Sequence, residues 1–347
     1  GSSISASGNI ADTTITTYST ASVDTSAAGL ITVDPANQLT KEIIHNTQFD
    51  KYGNTLHQTL KSWYYDASSA SFIFSQAQDI TNSDTYDIHN RVGHSVIKNY
   101  SDEAMAQFTD MQDISFTSYH KYGSVIDESI NTYTTQTVDA LSLVDHKTIH
   151  NDYANDIAAR RGNASHSIVT KYSLLTEDNS TLIDRTVSDT SVFDTRGNAL
   201  NQTRDSFVFS PAGDPIKTTH AVITTLTTDY NNRGDAGSQT IDTYLIDGAA
   251  STLTTHELFT NRSFDSSHNV VNQKVVTFAD LAGVTFLDAR EIRSSGFHSS
   301  GVAENQTIVT YSDQRMRAED IIDAKVIVNL GSSISASGNI ADTTITT

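Results

Sequence analysis

Along most of this chain apolar and polar residues alternate with a period of two, in tracts such as QTIDTY (Gln239 to Tyr244), QTIVTY (Gln306 to Tyr311) and QKVVTF (Gln273 to Phe278). That period, with the β-branched and aromatic content of the tracts, predicts strands. The tracts are links of a repeat. An aromatic or apolar start residue recurs nine times, at Ile4, Phe49, Tyr86, Tyr119, Ala158, Phe193, Tyr230, Phe264 and Phe297. Four residues after the start stands Gly8, Gly53, Gly123, Gly162, Gly197, Gly234 or Gly301, with Asn90 and His268 in the two remaining links. Glycine reaches positive φ without steric cost, and Asn and His reach it more easily than most residues, so this position predicts a tight turn.

Fourteen residues after every start there is an aromatic: Tyr18, Trp63, Tyr100, Tyr133, Tyr172, Phe207, Tyr244, Phe278 and Tyr311. Within the strand that leaves the turn, the eleventh position is Ile, Leu or Val in eight of nine links. Period-two geometry then places an aliphatic on one face and the aromatic on the other, so the sheet meets something on both sides. The expectation is a ladder of stacked aromatics, each pair adding about 0.5 to 1.5 kcal/mol beyond its buried area.

Each link thus reads as turn, outgoing strand, connection and returning strand, a β-meander written nine times. Two segments, Ser101 to Asp113 and Ser312 to Lys325, have helix-favouring composition and could form a short helical turn. The first link carries extra residues from Val23 to Gln38, including Val33-Asp34-Pro35, which predict a protruding loop.

A longer repeat is superimposed. Residues 331–347 are identical to residues 1–17, so the ninth link leads into a new start at Ile334. The chain divides into one 330-residue unit and the opening of the next, an array organisation in which links contact mainly their neighbours. The fold class expected is all-β: tandem β-hairpins forming a spiralling antiparallel sheet, solenoid or tube. If the 330-residue unit made one circuit, its eighteen strands would enclose a tube about 27 Å across before tilt.

The turn core, aromatic-Asp-x-x-Gly-Asn, stands as FDKYGN (Phe49 to Asn54) and FDTRGN (Phe193 to Asn198), and more loosely as YDIHNR (Tyr86 to Arg91) and FDSSHN (Phe264 to Asn269). It resembles the signature of the YD-repeat family, found in polymorphic-toxin shells, insecticidal toxin complexes and teneurins. The resemblance implies a long spiralling sheet of β-hairpins. Asp follows the start in only four links, the family's unit is nearer twenty residues, and the shell-closing segment and toxin cargo of such proteins have no counterpart here. The near-identical superrepeat is also similar to those of giant repetitive prokaryotic surface proteins.

A net charge of −19, spread over turns and strands, keeps a long polymer soluble and argues against nucleic acid as a partner. With no cysteine, neither disulfides nor thiolate metal sites staple the fold. No apolar run has the length of a membrane span. Asp50, Asp194 and Asp265 suit Asx turns, with calcium as the alternative, although the regular acidic spacings of calcium loops are missing. His146 and His150 would share a strand face too far apart for one ion, while His94 and His166 occupy equivalent repeat positions. No hydrolase, metalloprotease, phosphate-loop or dinucleotide motif occurs, so no enzyme activity is expected. Sequons at Asn163, Asn179, Asn201, Asn261 and Asn305 mark the places where glycans would attach.

The function expected is structural: a unit of an extracellular fibre, filament or sheath at a prokaryotic cell surface, partnered by further copies of itself. A carbohydrate- or cell-binding adhesin module and a toxin-encapsulating shell are the alternatives.

Overall fold

The computed structural model describes residues 9–18, 20–24, 30–66, 69–83, 86–265, 268–297, 301–330, 334, 340 and 342–347. Strand β1 (Asp12–Tyr18) is followed by a separate small hairpin of β2 (Ser22–Asp24) and β3 (Leu30–Thr32). The large sheet continues through β4 (Gln38–Phe49), β5 (Thr55–Asp66), β6 (Ser71–Asn82), β7 (His94–Tyr100), β8 (Phe108–Tyr119), β9 (Val125–Tyr133) and β10 (Leu143–Asp152). After helix α1 (Asp156–Arg160) come β11 (His166–Tyr172), β12 (Leu182–Phe193), β13 (Ala199–Phe209), β14 (Pro215–Thr224) and β15 (Gln239–Asp247). Strands β16 (Ala250–Phe264), β17 (Val270–Phe278), β18 (Phe286–Phe297), β19 (Ala303–Tyr311), β20 (Ile321–Asn329) and β21 (Thr343–Thr346) complete it.

β1 pairs with β4, and from β4 to β21 every strand pairs antiparallel with the next, giving one sheet of 19 strands that is not closed into a barrel. The architecture is all-β and reads as sequential hairpins. Because all pairings are between neighbours in sequence, the sheet has two long edges. Starts and turns line one of them, the turn edge; the loops that join outgoing to returning strands line the other, the connection edge.

The segments with helix-favouring composition are turns leading into strands. Asp102 Oδ1 accepts hydrogen bonds from the amides of Ala106 at 2.9 Å and Gln107 at 2.6 Å, and β8 begins at Phe108. Ser312 to Lys325 contains one 3-10 turn, Ala318–Asp320, before β20. In both, pairing with the preceding strand takes up the backbone groups a helix would have used. The α-helix stands instead in the fifth turn, where Asn155 caps the amides of Ile157 and Ala158. The long first connection holds the β2–β3 hairpin and a 3-10 turn, Pro35–Asn37, capped by Asp34; residues 25–29 lie outside the described residues.

Two features give the sheet its shape. In each of the nine links the returning strand carries a β-bulge opposite the repeat aromatic. For example, Ser62 faces Gln76 while Trp63 faces Phe74, which leaves Ser75 without a register partner. The same slip leaves Leu39, Thr109, Val144, Ile183, Thr218, Thr254, Leu287 and Ile322 as the extra residue in the other links. A bulge bends its strand and increases local twist, so the bulge in every link, with further register shifts at the turn ends of β4, β8, β12 and β16, curls the sheet.

The curl brings the two edges together. Ser75 Oγ donates to the Phe297 carbonyl at 2.9 Å across 222 residues of sequence. β6 and β18 stand twelve places apart in the pairing order. A circuit therefore takes twelve to fourteen strands, short of the eighteen that one circuit per 330 residues would need. At about 4.8 Å per strand that is a circumference of about 60 Å and a width of about 20 Å before tilt. The 330-residue spacing between the two copies of the 17-residue segment is a property of the sequence, whereas the circuit is set by accumulated twist and bend, and the two need not coincide.

Candidate stacking edges

The turn edge is built on carboxylates. Asp50 Oδ1 accepts from the amides of Tyr52 and Asn54, each at 2.8 Å, and Oδ2 accepts from Asn54 Nδ2 at 2.8 Å. Asp194 with Asn198, and Asp265 with Asn269, repeat the clamp, and Asp87 holds Arg91 in the same place. Burial works against the Asp194 carboxylate, but hydrogen bonds from Asn198 and Arg196 outweigh it and hold the group below the ordinary carboxylate value. For Asp87 the Arg91 side-chain hydrogen bond leads, and the pKa falls to about 2. These aspartate oxygens are engaged by donors of their own turns. Among the described residues there is no group of three or more His, Asp or Glu placed to hold a metal ion.

The fourth residue after each described start has positive φ: Gly53 91°, Gly123 97°, Gly162 77°, Gly197 81°, Gly234 94° and Gly301 79°, with Asn90 at 60° and His268 at 66°. Gly8 lies outside the described residues.

Successive turns are tied in both directions. Arg91 donates to the His120 carbonyl, Ser124 to Ala159, Asn163 to Gly197, Arg196 to Asn231 and Arg233 to Asp265, so each of these turns holds a carbonyl of the next. Start tyrosines reach the other way: Tyr86 OH donates to the Thr55 carbonyl, Tyr119 to Val92 and Tyr230 to Ala199. In the fifth link, where the start is Ala158, Tyr153 supplies this hydroxyl to Val125.

The repeat aromatics line the connection edge, each at its bulge. Tyr133 is 1% exposed and Phe278 3%, with Trp63, Tyr100 and Tyr311 also buried; Tyr18, Tyr172, Phe207 and Tyr244 are half-buried. Their ring contacts run to cross-strand neighbours: Trp63 to Phe74, Tyr100 to Phe108, Tyr172 to His146, Tyr244 to His220, and Phe278 to both His256 and Phe286, at centroid distances of 5.6 to 6.3 Å. The described contacts thus lie inside each hairpin or between adjacent strands, and not from one repeat aromatic to the next.

A system of His–Asp pairs across the strands went unrecognised in the sequence. Asp12–His45, Asp127–His150, His166–Asp189, Asp205–His220 and Asp242–His256 are direct register partners with N–O distances of 2.5 to 2.7 Å. His57–Asp79 and His94–Asp113 are diagonal, each at 2.6 Å. His146 bonds Asn131 and Glu177 while His150 bonds Asp127, so this i, i+4 pair serves separate partners. Register was the missing information, because each partner lies a hairpin away.

One pair gives a pH prediction. The Asp127 hydrogen bond raises the pKa of His150, and the His150 hydrogen bond lowers that of Asp127. The histidine's contribution is complete below about pH 6.5 and lost as pH rises through its folded pKa; the aspartate's is present above about pH 4 and lost as pH falls through its own. The pair therefore stabilises most between those limits, by well under 1 kcal/mol because both side chains are nearly half exposed. NMR titration of the His150 ring checks this, and Asp127→Asn should return its midpoint towards 6.5.

Among the described residues the two edges meet beside Ser75. The connection ends of β4, β5 and β6 face the turn ends of β16 to β18 around a cleft of about 370 Å³. Trp63, Tyr64, Tyr65 and Ser75 line one side, and Asp265, Asn269, Gly296 and Phe297 the other. A Cβ added at Gly296 would lie 3.2 Å from Tyr64 Cε1, so the approach is close. Burial raises the Tyr64 pKa, and the carboxylates of Glu304 and Asp66 add to the effect, which keeps the phenol neutral in the seam. The extra residue of the second bulge, Ser75, makes the direct hydrogen bond.

No protein-family model matches the chain, and no curated protein matches it. Among solved structures it is similar to the Photorhabdus luminescens Tc holotoxin pore at 13% identity, over 96% of this chain and 19% of that one, with a TM-score of 0.18. The TcdB2–TccC3–Cdc42 crystal structure is matched at 14% identity over 97% of this chain and 19% of that one, TM-score 0.16. The TcdB2–TccC3 crystal structure is matched at 12% identity over 97% and 20%, TM-score 0.17. The chain spans about a fifth of the length of these three.

Proposed function

We propose that this chain is a wall segment of a long extracellular fibre on a prokaryotic cell surface: a YD-repeat-like hairpin array whose role is mechanical reach or adhesion. The observation that carries the reading is the seam between Ser75 and Phe297. A sheet that comes round and seats one edge on the other, without closing, can rise indefinitely. A closed barrel removes its edges but cannot extend; a rising spiral protects them and can.

The unit boundary supports the same reading. Thr343–Thr346 of β21 repeats the sequence Thr13–Thr16 of β1; the first pairs with β20 and the second with β4. In a tandem array one strand would stand between those two neighbours, and the sheet would cross the boundary unbroken. No helix among the described residues is long and apolar enough to cross a membrane, and the net charge of −19 suits a wall in contact with water.

Electron microscopy of the native material, averaged along its axis, tests the proposal. Twelve-residue strands such as β5 rise about 40 Å, so the wall should climb by about that much per circuit around a narrow tube. Separate beads on linkers, or closed shells around a lumen, would overturn it; closed shells would favour the toxin-shell alternative.

A further inference from the structure

Among the described residues the direct contact between the edges is the one from Ser75 to Phe297, and both edges beyond it present large apolar residues to solvent. On the turn edge these include Ile10, 46% exposed, Tyr52, 74%, Ile88, 93%, Ile157, 49%, and Leu226, 62%. On the connection edge the most exposed include Leu141, 96%, in the fourth link, Leu174, 51%, in the fifth, and Leu245, 52%, in the seventh. Isolated exposed aliphatics are ordinary on a protein surface, but here they recur along both edges that the seam at Ser75 brings together.

The existing seam fixes the spacing. It sets the connection edge of the second link, at Ser75, against the turn that opens the ninth link at Phe297, an offset of seven links. Since a unit has nine links, continuing the spiral sets each later connection against the turn two links earlier in the following unit. The fourth connection then meets the second turn, the fifth meets the third, and the seventh meets the fifth. That brings Leu141 to Tyr52, Leu174 to Ile88 and Leu245 to Ile157. The sixth connection, which exposes Ile216, 49%, meets the fourth turn, which exposes no large aliphatic residue, so the match is not complete along the edge. The seventh turn, with Leu226, likewise meets the ninth connection at Ile321 and Ile322, whereas the first turn, with Ile10, meets the third connection, which exposes no large apolar side chain among the described residues.

We infer that the connection edge from the third link onward is the seat of a second copy of this unit, docked by its turn edge in this seven-link register. The inference rests on the fibre reading above and adds its register. The occupant follows from continuity: the seat at Ser75 is the same edge, already filled by the same kind of turn.

The test uses a chain of two consecutive 330-residue units. The sequence has no cysteine, so two introduced thiols are the only ones. Leu141→Cys in the first unit is paired with Tyr52→Cys in the second, and the control pairs Leu141→Cys with Ile88→Cys, one link out of register. Within a single unit residues 52 and 141 lie on opposite edges, a strand length of about 40 Å apart, beyond the reach of a short bis-maleimide. The in-register pair should cross-link roughly tenfold or more faster than the control, read as a mobility shift, because a seated edge holds the thiols at high effective concentration. All three positions are exposed, and unchanged circular dichroism shows that the variants fold. Cross-linking of the control at an equal or greater rate would overturn the register while leaving stacked circuits in place. Cross-linking of neither pair would overturn the docking and the fibre reading together.

Discussion

Replacing Gly197 by alanine is expected to cost about 2 to 5 kcal/mol, more than the strain of a positive φ alone. Two terms combine. At φ +81° a non-glycine residue carries about 1 to 2 kcal/mol of backbone strain. The added Cβ would also stand 2.7 Å from Ala158 N, 2.8 Å from Ala158 Cα and 2.9 Å from the Ile157 carbonyl carbon. Those are backbone atoms of α1, whose Ala158 and Ala159 are buried, so the neighbouring turn must move; overpacking of this kind costs about 1 to 3 kcal/mol more. Gly123→Ala is the internal reference. Its φ is +97° but nothing lies within 4 Å of the new atom, so only the strain of about 1 to 2 kcal/mol applies. Asparagine separates the terms, because it tolerates positive φ, as Asn90 does at 60°. Gly123→Asn should recover most of the loss and Gly197→Asn should not. Since links in an array open locally, the readout is hydrogen exchange of amides in β11 to β13 beside the urea midpoint. Equal losses for the two alanine variants would show that the close approach to α1 carries no weight.

The sequence announced the hairpins because two of their requirements fall at fixed offsets from the start. The turn needs a residue tolerant of positive φ, and Asn90 and His268 fill that position with the same backbone sign as the glycines. The outgoing strand shows its alternation because its aromatic stands fourteen residues after the start in every link. What stayed hidden lies across the hairpin. Leu39, Ser75 and Val144 are unremarkable in sequence, and become bulge residues only through the register of returning strands that begin after connections of different length. The His–Asp pairs were hidden for the same reason, although His57, His94 and His166 all fall eight residues after their starts. The circuit was hidden because no residue encodes it; it is the sum of a dozen small bends, visible only when Ser75 arrives at Phe297.

The connection edge of the fourth link should also be the most sensitive to loss of a single charge. Asp145 stands beside the bulge residue Val144, is 0% exposed, and has Lys171 Nζ at 3.2 Å and Lys147 Nζ at 3.7 Å. Lys147 and Lys171 are direct register partners, an arrangement of like charges that opposes strand pairing. The carboxylate offsets both. Neither of its oxygens has a side-chain hydrogen bond of good geometry, so the interaction is mostly charge on charge. Desolvation makes such a buried group costly once a partner is removed, and cheap to replace as a set. Lys171→Met should therefore destabilise the link by about 3 kcal/mol. Asp145→Leu alone leaves two facing ammonium groups and should also destabilise, while the double variant should be nearer the parent than either single one, a coupling that a double-mutant cycle measures directly. Independent, additive losses would mean the three charges do not form a unit. The consequence reaches assembly, because Leu141 leads into β10 two residues before its start, and Tyr133, 1% exposed, faces Leu143 at the bulge. Lys171→Met should then slow the Leu141-to-Tyr52 cross-link without changing the turn that docks there, separating a loosened seat from a lost partner.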